Sequence, residues 1–208
     1  MKMKIIEKRL IDTPFRVGLQ RKHEAGEVLA HLPLLDGASC LELGCGYGAG
    51  ALLIKHYTGC GSLVSLDIDR SMLTRARTYI SEDHSWVSGM SREGISFVEG
   101  DALSLPFRDA TFDGAFHFFL LDHIASWPEA ITEVHRVLKP GGVFSFEDAL
   151  IPDVPFLFNW YFGHIPLNAE KIVKTVENTG FVIDRLRVKP KGFKRIYMTC
   201  RKMNGKDR

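Results

Sequence analysis

The chain has 208 residues, of which 45% are hydrophobic and 25% are charged. This length is typical of one domain, and this composition is typical of a globular protein that buries a sizeable core, so it excludes a chain that is disordered throughout. The formal net charge of +2 is too small to indicate a nucleic-acid partner by itself.

The cysteines and the apolar runs restrict the kind of protein further. None of the four cysteines belongs to a C-x-x-C pair, so we predict no metal site. Cys40 and Cys45 fall in a predicted buried strand and its following turn, which favours a reducing compartment, the cytoplasm. The charged first ten residues are followed by no apolar core, and no run could span a bilayer, so we expect neither a signal peptide nor a membrane span.

The first forty residues read as helical, with a helix predicted over 20–31, and we interpret 1–38 as an N-terminal extension to a domain over 39–208. From residue 39 strands and helices alternate. The predicted strands are 39–43, 62–67, 95–99, 111–119, 143–147, 181–188 and 195–200, and the predicted helices are 51–57, 70–80, 128–138 and 168–179. The 140–142 segment (PGG) is expected to stop the helix before it.

This alternation predicts βαβ units and a parallel sheet. The last two strands are separated by 189–194 only, which is too short for a crossover, so they should form an antiparallel hairpin. The fold class is therefore α/β, a doubly wound and mostly parallel seven-stranded sheet with one antiparallel strand near its edge.

The segment 41–48 (LELGCGYG) runs from a strand through closely spaced glycines into a helix. Glycines allow a sharp turn and a close approach of a ligand, and ligands of open α/β sheets lie outside the carboxyl ends of the strands. Gly44 and Gly46 also satisfy the dinucleotide pattern G-x-G-x-x-G/A. Glu42 favours another ligand, since its carboxylate would repel a diphosphate and attract an ammonium or sulfonium group.

Two further acids follow strand ends. Asp67 ends the second strand, where it could hold the ribose hydroxyls of either an NAD or an S-adenosyl cofactor, and Asp69 fits the N-cap of the next helix. Asp101 follows the third strand after one glycine. Its carboxylate could accept a hydrogen bond from an adenine amino group, or it could simply shape a turn.

Several motifs in order resemble the class I S-adenosylmethionine-dependent methyltransferases, especially the small-molecule group similar to ubiquinone and menaquinone methyltransferases. The resemblance covers roughly 39–147 and fades outside it. The motifs are 42–48 (ELGCGYG), 100–102 (GDA) before 105–107 (LPF), 112–113 (FD) and 136–142 (RVLKPGG).

The resemblance implies a Rossmann-like fold, S-adenosyl-L-methionine as cofactor, S-adenosyl-L-homocysteine as product, and a small-molecule acceptor. It also implies site roles. The methionine end would be held by Glu42, Gly44 and Gly46, the ribose by Asp67, the adenine by Ile68, Asp101 and Ala102, and the amino group by the backbone of His117.

The donor of such a reaction is already activated, so a base is needed only where the acceptor must lose a proton. The candidates are His117, His123, Glu147 and His164, and His123 is preferred because it follows the fourth strand. The alternative for His123 is a histidine that caps a helix or is satisfied in the core.

The segment 151–167 contains three prolines and five aromatic residues, which argues against a long regular helix. We consider it a lid over an apolar or aromatic acceptor; core packing and a homo-oligomer interface are the alternatives.

The stretch 185–208 is rich in Arg and Lys, which keeps RNA methylation open, although such a stretch is more often the solvated face of an edge hairpin. An NAD-dependent oxidoreductase is the alternative from another class, and a non-catalytic binding module is a third.

Overall fold

The computed structural model describes residues 25–33, 35–82, 86, 89, 91–150, 165–189 and 194–204. The helices are α1 (Ala25–Leu29), α2 (Ala49–Thr58), α3 (Arg70–Ser81), α4 (Trp127–Val137) and α5 (Ala169–Asn178), with a short 3₁₀ helix at Leu121–His123. The strands are β1 (Ser39–Leu43), β2 (Ser62–Asp67), β3 (Ile95–Glu99), β4 (Phe112–Phe118), β5 (Leu138–Ala149), β6 (Phe181–Lys189) and β7 (Arg195–Lys202).

The strands form one sheet in the order β3-β2-β1-β4-β5-β7-β6. The pairs from β3 to β5 are parallel, and β7 runs antiparallel to both β5 and β6. The predicted fold class and the predicted terminal hairpin are therefore confirmed. The strand order reverses direction beside β1, which is the position where ligands bind in doubly wound sheets.

Helices cover both faces of the sheet, and each face has its own apolar core. On the first face, α4 buries Ala130, Ile131 and Val134 at helical spacing, and these side chains pack with Phe144 and Phe146 of β5. On the second face, α1 and α2 pack on Phe116 and its neighbours. Because the central strands are buried on both sides, they are almost continuously apolar.

The start of β5 differs from the prediction. The helix ends at Val137 as 140–142 predicted, but the strand begins at Leu138 rather than Val143. Phe112 pairs with Leu138 and Gly114 pairs with Val143, so the PGG segment forms an irregularity inside the strand. Proline has no N–H to donate and Gly141 has a φ of 79°, so both fit a bulge better than a regular ladder.

Other expectations fall partly outside the described residues. Helix α1 falls within the helix predicted over 20–31. Residues 1–24 of the predicted extension 1–38 lie outside the described residues. Of the proposed lid 151–167 only 165–167 is described, where Ile165 N–H donates to the Asp122 carbonyl at 2.7 Å. In the ranges given above, none of the helices has the length and apolar character needed to cross a membrane.

One arginine joins α4 to the loop that precedes β4. The Arg136 guanidinium donates to the carbonyls of Leu105 and Phe107 at 3.0 and 2.8 Å, and to the carboxylates of Glu133 and Asp109. The loop carbonyls and the helix are therefore held by a single planar group with several donors.

We expect Arg136→Lys to lower the free energy of unfolding by about 1–3 kcal/mol, because an ammonium cannot satisfy all of these acceptors at once. The matched control is Arg201→Lys. Arg201 is half-exposed and pairs with Asp184 on the surface, so this ion pair should contribute less than about 1 kcal/mol to the free energy of unfolding. Urea denaturation of the two variants measures both values, and equal losses would contradict this assignment.

Candidate active site

The turn between β1 and α2 is built from glycines with left-handed backbone. Gly44, Gly46 and Gly48 have φ values of 67°, 52° and 98°. A Cβ on Gly44 would lie 2.7 Å from Leu120 Cδ1, so Leu120, two residues after the end of β4, packs directly on the turn. Glycine at position 44 is required both by the backbone and by this close approach.

Asp67, at the end of β2, is engaged with the backbone of two turns. One carboxylate oxygen accepts the Gly46 N–H at 3.0 Å, and the other accepts the Asp69 N–H at 2.8 Å. The side chain is 9% exposed. The ribose contact of Asp67 stays a prediction, and in the structure its carboxylate ties the glycine turn to the turn before α3.

Glu42 lies beneath the glycine turn and is 2% exposed. The Ser65 hydroxyl donates to its Oε2 at 2.6 Å, and a Cβ on Gly50 would lie 2.1 Å from its Oε1. Burial, followed by the neighbouring charge of Asp67, raises the pKa of Glu42 to about 8. Burial therefore favours the protonated form of the Glu42 carboxyl.

The remaining predicted adenosine contacts lie at the ends of β2 and β3. Asp69 accepts the Ser71 N–H at 3.0 Å, as predicted for an N-cap of α3. Asp101 is exposed, and its Oδ1 accepts the Leu103 N–H at 2.9 Å, so it does shape the turn there. Ala102 is buried and Ile68 is half-buried.

His117, on β4, faces the α4 side of the sheet and is 1% exposed. Its ring stacks on Phe146 with centroids 4.7 Å apart, and neither ring nitrogen has a hydrogen-bond partner among the described residues. Burial lowers the pKa of His117 to about 3, against the opposing effect of the Asp122 charge. The imidazole is therefore neutral at any ordinary pH.

The chain turns sharply after β4. Phe119 has a φ of 56°, which is a strained conformation for a residue with a bulky side chain. Its N–H donates to the Glu147 carbonyl at 3.0 Å, and the next residue is Leu120, which reaches Gly44. Backbone strain of this kind concentrates at functional sites. Here the strained turn at Phe119 connects the ends of β4 and β5 with the glycine turn.

Four ionisable side chains lie near this turn on the α4 side: His117, Asp122, His123 and Asp148. His117 Nδ1 lies 3.5 Å from Asp148 Oδ2, and the same oxygen accepts the Leu121 N–H at 3.2 Å. Burial, and then the charge of Asp122, raise the pKa of Asp148 well above its usual range. His123 Nε2 lies 3.7 Å from Asp122 Oδ1, with 20% of its side chain exposed.

Glu147, another candidate base, lies apart from these groups. Successive side chains of a strand point to opposite faces, so Glu147 faces the α1 side while Asp148 faces α4. Its carboxylate lies 3.8 Å from Arg195 Nη1. The candidate His164 lies outside the described residues.

The fold thus brings Glu42, Asp67 and His117 to the carboxyl ends of adjacent strands, with Asp101 further along the same edge at the end of β3. The sequence interpretation missed Gly50, Phe119 and Asp148. A small residue in the first turn of a helix after a glycine loop was the available signal for Gly50. Nothing local in the sequence distinguishes Phe119 or Asp148, because their positions follow from the pairing of β4 with β5.

Comparison with known proteins agrees with this geometry. The model of a family described as a methyltransferase domain matches residues 41–146, which contain the glycine turn, β2, β3, β4 and most of β5. The chain belongs to the class I S-adenosylmethionine-dependent methyltransferase family. The match includes Glu42, Asp67, Asp101 and His117.

Two curated relatives lie within this methyltransferase family. A sterol 24-C-methyltransferase from Gibberella zeae is 33% identical over 64% of the chain and 33% of its own length. A demethylmenaquinone methyltransferase from Shouchella clausii is 30% identical over 76% of the chain and 66% of its own length. The chain therefore spans about a third of the first relative and just under two thirds of the second.

Solved structures share the methyltransferase fold at low sequence identity. The [4+2]-cyclase SpnF matches with a TM-score of 0.73 at 20% identity, over 91% of this chain and 82% of that chain. An S-adenosylmethionine-dependent methyltransferase from Mesorhizobium loti matches with a TM-score of 0.66 at 20% identity, over 82% of this chain and 94% of that chain. These likenesses concern the fold alone.

We expect Gly50→Ala to lower the melting temperature and weaken binding of S-adenosylhomocysteine, because the new methyl group displaces the Glu42 carboxyl. In the double variant with Glu42→Ala the stability loss should be smaller than the sum of the single losses. Gly26→Ala is the control, since no atom lies within 4 Å of its added Cβ. Additive losses at Gly50 and Glu42 would contradict this contact.

Proposed function

We propose that this protein transfers a methyl group from S-adenosyl-L-methionine to a small apolar or aromatic acceptor. The observation that carries the proposal is the glycine turn, which rests on the buried carboxyl of Glu42 and whose Gly46 N–H is already taken by Asp67. A cationic sulfonium or ammonium compound suits such a turn, because nearby carboxyl groups can supply the compensating charge.

The proposed binding roles follow the strand ends. Glu42, Gly44 and Gly46 would hold the methionine end, Asp67 and Ile68 the ribose and one adenine face, and Asp101 with Ala102 the adenine edge. The backbone of His117 would meet the cofactor amino group. The cofactor supplies an activated methyl group, so the protein chiefly orients the acceptor and excludes water.

A dinucleotide oxidoreductase is less compatible with this turn. Diphosphate binding at a βα turn uses free backbone N–H groups at the helix N-terminus. Here the Cys45 N–H donates to the Leu66 carbonyl and the Gly46 N–H donates to a carboxylate. These two N–H groups are therefore not available to a diphosphate, whose negative charge would also lie close to the Asp67 carboxylate.

RNA methylation has weaker support as well. Arg185 and Arg187 of the basic stretch pair with Glu27, and Arg201 pairs with Asp184. A hairpin in which several cations are paired with carboxylates offers less charge to a phosphate backbone.

Two finer assignments belong to the same proposal. His123 remains the sequence-derived candidate for proton transfer, and its partial exposure beside Asp122 suits exchange of a proton with solvent. All four cysteines are buried thiols, which supports a place in the cytoplasm.

Thermal denaturation with S-adenosylhomocysteine and with NADH tests the proposed cofactor. A ligand that binds only the folded state raises the melting temperature, so we expect a rise with S-adenosylhomocysteine and none with NADH. The opposite pattern would favour the oxidoreductase, and no rise with either ligand would favour a non-catalytic module.

Cofactor affinity should also depend on pH through Glu42. Its pKa of about 8 means that a cationic ligand must first remove a proton at lower pH. We expect the affinity for S-adenosylhomocysteine to rise with pH toward about 8, by up to about tenfold per pH unit, since the ligand favours the ionised form. Isothermal titration calorimetry at several pH values measures this slope.

Glu42→Gln should flatten that slope, whereas Glu129→Gln, an exposed glutamate in the first turn of α4, should leave it unchanged. An unchanged slope in Glu42→Gln would show that another group is linked to binding.

A further inference from the structure

The structure contains a second group of buried ionisable side chains beyond those assigned to the cofactor. Asp148 is 0% exposed, and Asp122 and His117 are each 1% exposed. They lie at the ends of β4 and β5 and in the 3₁₀ helix between β4 and α4. Burying ionisable side chains away from water is unfavourable, so such a group requires a functional or structural reason.

The place of this group relative to the glycine turn is fixed by packing. Leu120 contacts Gly44, and the N–H of the next residue, Leu121, donates to Asp148 Oδ2 at 3.2 Å. The adenosine contacts are assigned to the ends of β2 and β3, on the opposite side of β1. With the adenosine assigned there, the acceptor would approach the methyl group from the side of β4 and β5, where this group lies.

The ionisable groups near Asp148 belong to β4 and to the 3₁₀ helix. On β4, His117 is neutral, with its Nδ1 3.5 Å from Asp148 and no hydrogen-bond partner for either nitrogen among the described residues. In the 3₁₀ helix, Asp122 is the like charge and His123 lies 3.7 Å from it. On β5 and β7, Glu147 and Arg195 face the opposite side of the sheet.

We propose that Asp148 is the group that accepts the proton of the methyl acceptor, which is a small aromatic compound with an ionisable O–H or N–H. This assignment rests on the proposed methyl transfer. His117 is a positioning residue, because its ring stacks on Phe146 and its Nδ1 lies 3.5 Å from Asp148 Oδ2.

The proton-transfer step balances within this site. The acceptor O–H or N–H bond breaks and its hydrogen passes to a carboxylate oxygen of Asp148, while the electron pair forms the new bond to the methyl carbon. The methyl–sulfur bond breaks and its electrons remain on sulfur. Release of the proton to solvent then passes from the carboxyl pair through His123, which is partly exposed.

The pH dependence follows from the environment of Asp148. Burial and the charge of Asp122 favour the protonated acid, so the active carboxylate form appears only at a pH above the usual range for aspartate. Turnover should therefore rise with pH through an acid limb. Removing the charge at position 122 should move that limb to lower pH, because the like-charge repulsion disappears.

The experiment uses the full chain with S-adenosylmethionine and a panel of substituted phenols and anilines, and follows formation of S-adenosylhomocysteine across pH. For a panel member that is methylated, Asp148→Asn should lower kcat/KM by about a hundredfold or more and abolish the acid limb. Asp122→Asn should retain activity with a limb shifted to lower pH. Asp184→Asn, a surface carboxylate on β6, is the matched control and should behave as the unmodified protein.

Calorimetry with S-adenosylhomocysteine distinguishes failure of the proposed function from failure of the base assigned here. Lack of binding by the unmodified protein contradicts the proposed function. Retained binding without methylation of any phenol or aniline overturns the acceptor class, and an acid limb that is the same in Asp148→Asn overturns the assigned base. If Asp148→Asn does not fold, Asp122→Asn tests the proposal instead. An acid limb that stays at the same pH in Asp122→Asn would show that Asp148 is not the group that titrates, and would overturn the assigned base.

Discussion

The site depends on one polar contact, the acceptance of the Gly46 N–H by the Asp67 carboxylate at the ends of β1 and β2. A turn with three glycines in left-handed conformation has high conformational freedom in the unfolded chain, so it needs external contacts to hold one shape. Asp67 supplies such a contact, and its second oxygen holds the Asp69 N–H before α3. Two turns that approach the ligand are thereby fixed by one side chain.

Below this contact, the Glu42 carboxyl occupies the space that Gly50 leaves open. Its burial modifies the electrostatic argument that the sequence suggested. A permanent carboxylate would attract a cation at any pH near neutrality, whereas a buried acid with a pKa of about 8 ionises in response to the ligand. On the proposed function, the turn would therefore discriminate by charge and link cofactor binding to proton release.

The sequence predicted the fold well because each βαβ unit has local signals. Asp69 at an N-cap, Gly180 with a φ of 101° after α5, and the short connection between β6 and β7 each specify one boundary from neighbouring residues. The start of β5 was wrong because 140–142 resembles a terminator, whereas the pairing of Phe112 with Leu138 extends the strand across it. Such pairing depends on residues that are distant in the chain.

The same distinction applies to the site. Glu42 and Asp101 could be singled out from their positions after or within predicted strands, although the turn contacts of Asp67 could not. Asp148 and Phe119 could not be identified, because their importance comes from the proximity of β4 to β5 and from the sharp turn that places Leu120 on Gly44. The neutral state of His117 likewise follows from its surroundings rather than from its residue type.

A crystal structure grown in the presence of both S-adenosylhomocysteine and NADH tests the central claim most directly. This account predicts the thioether nucleoside in the turn at residues 44–48, with its ammonium group on the Glu42 side and its adenine near Ala102. Electron density for a diphosphate in that turn, with the thioether nucleoside absent, would contradict it.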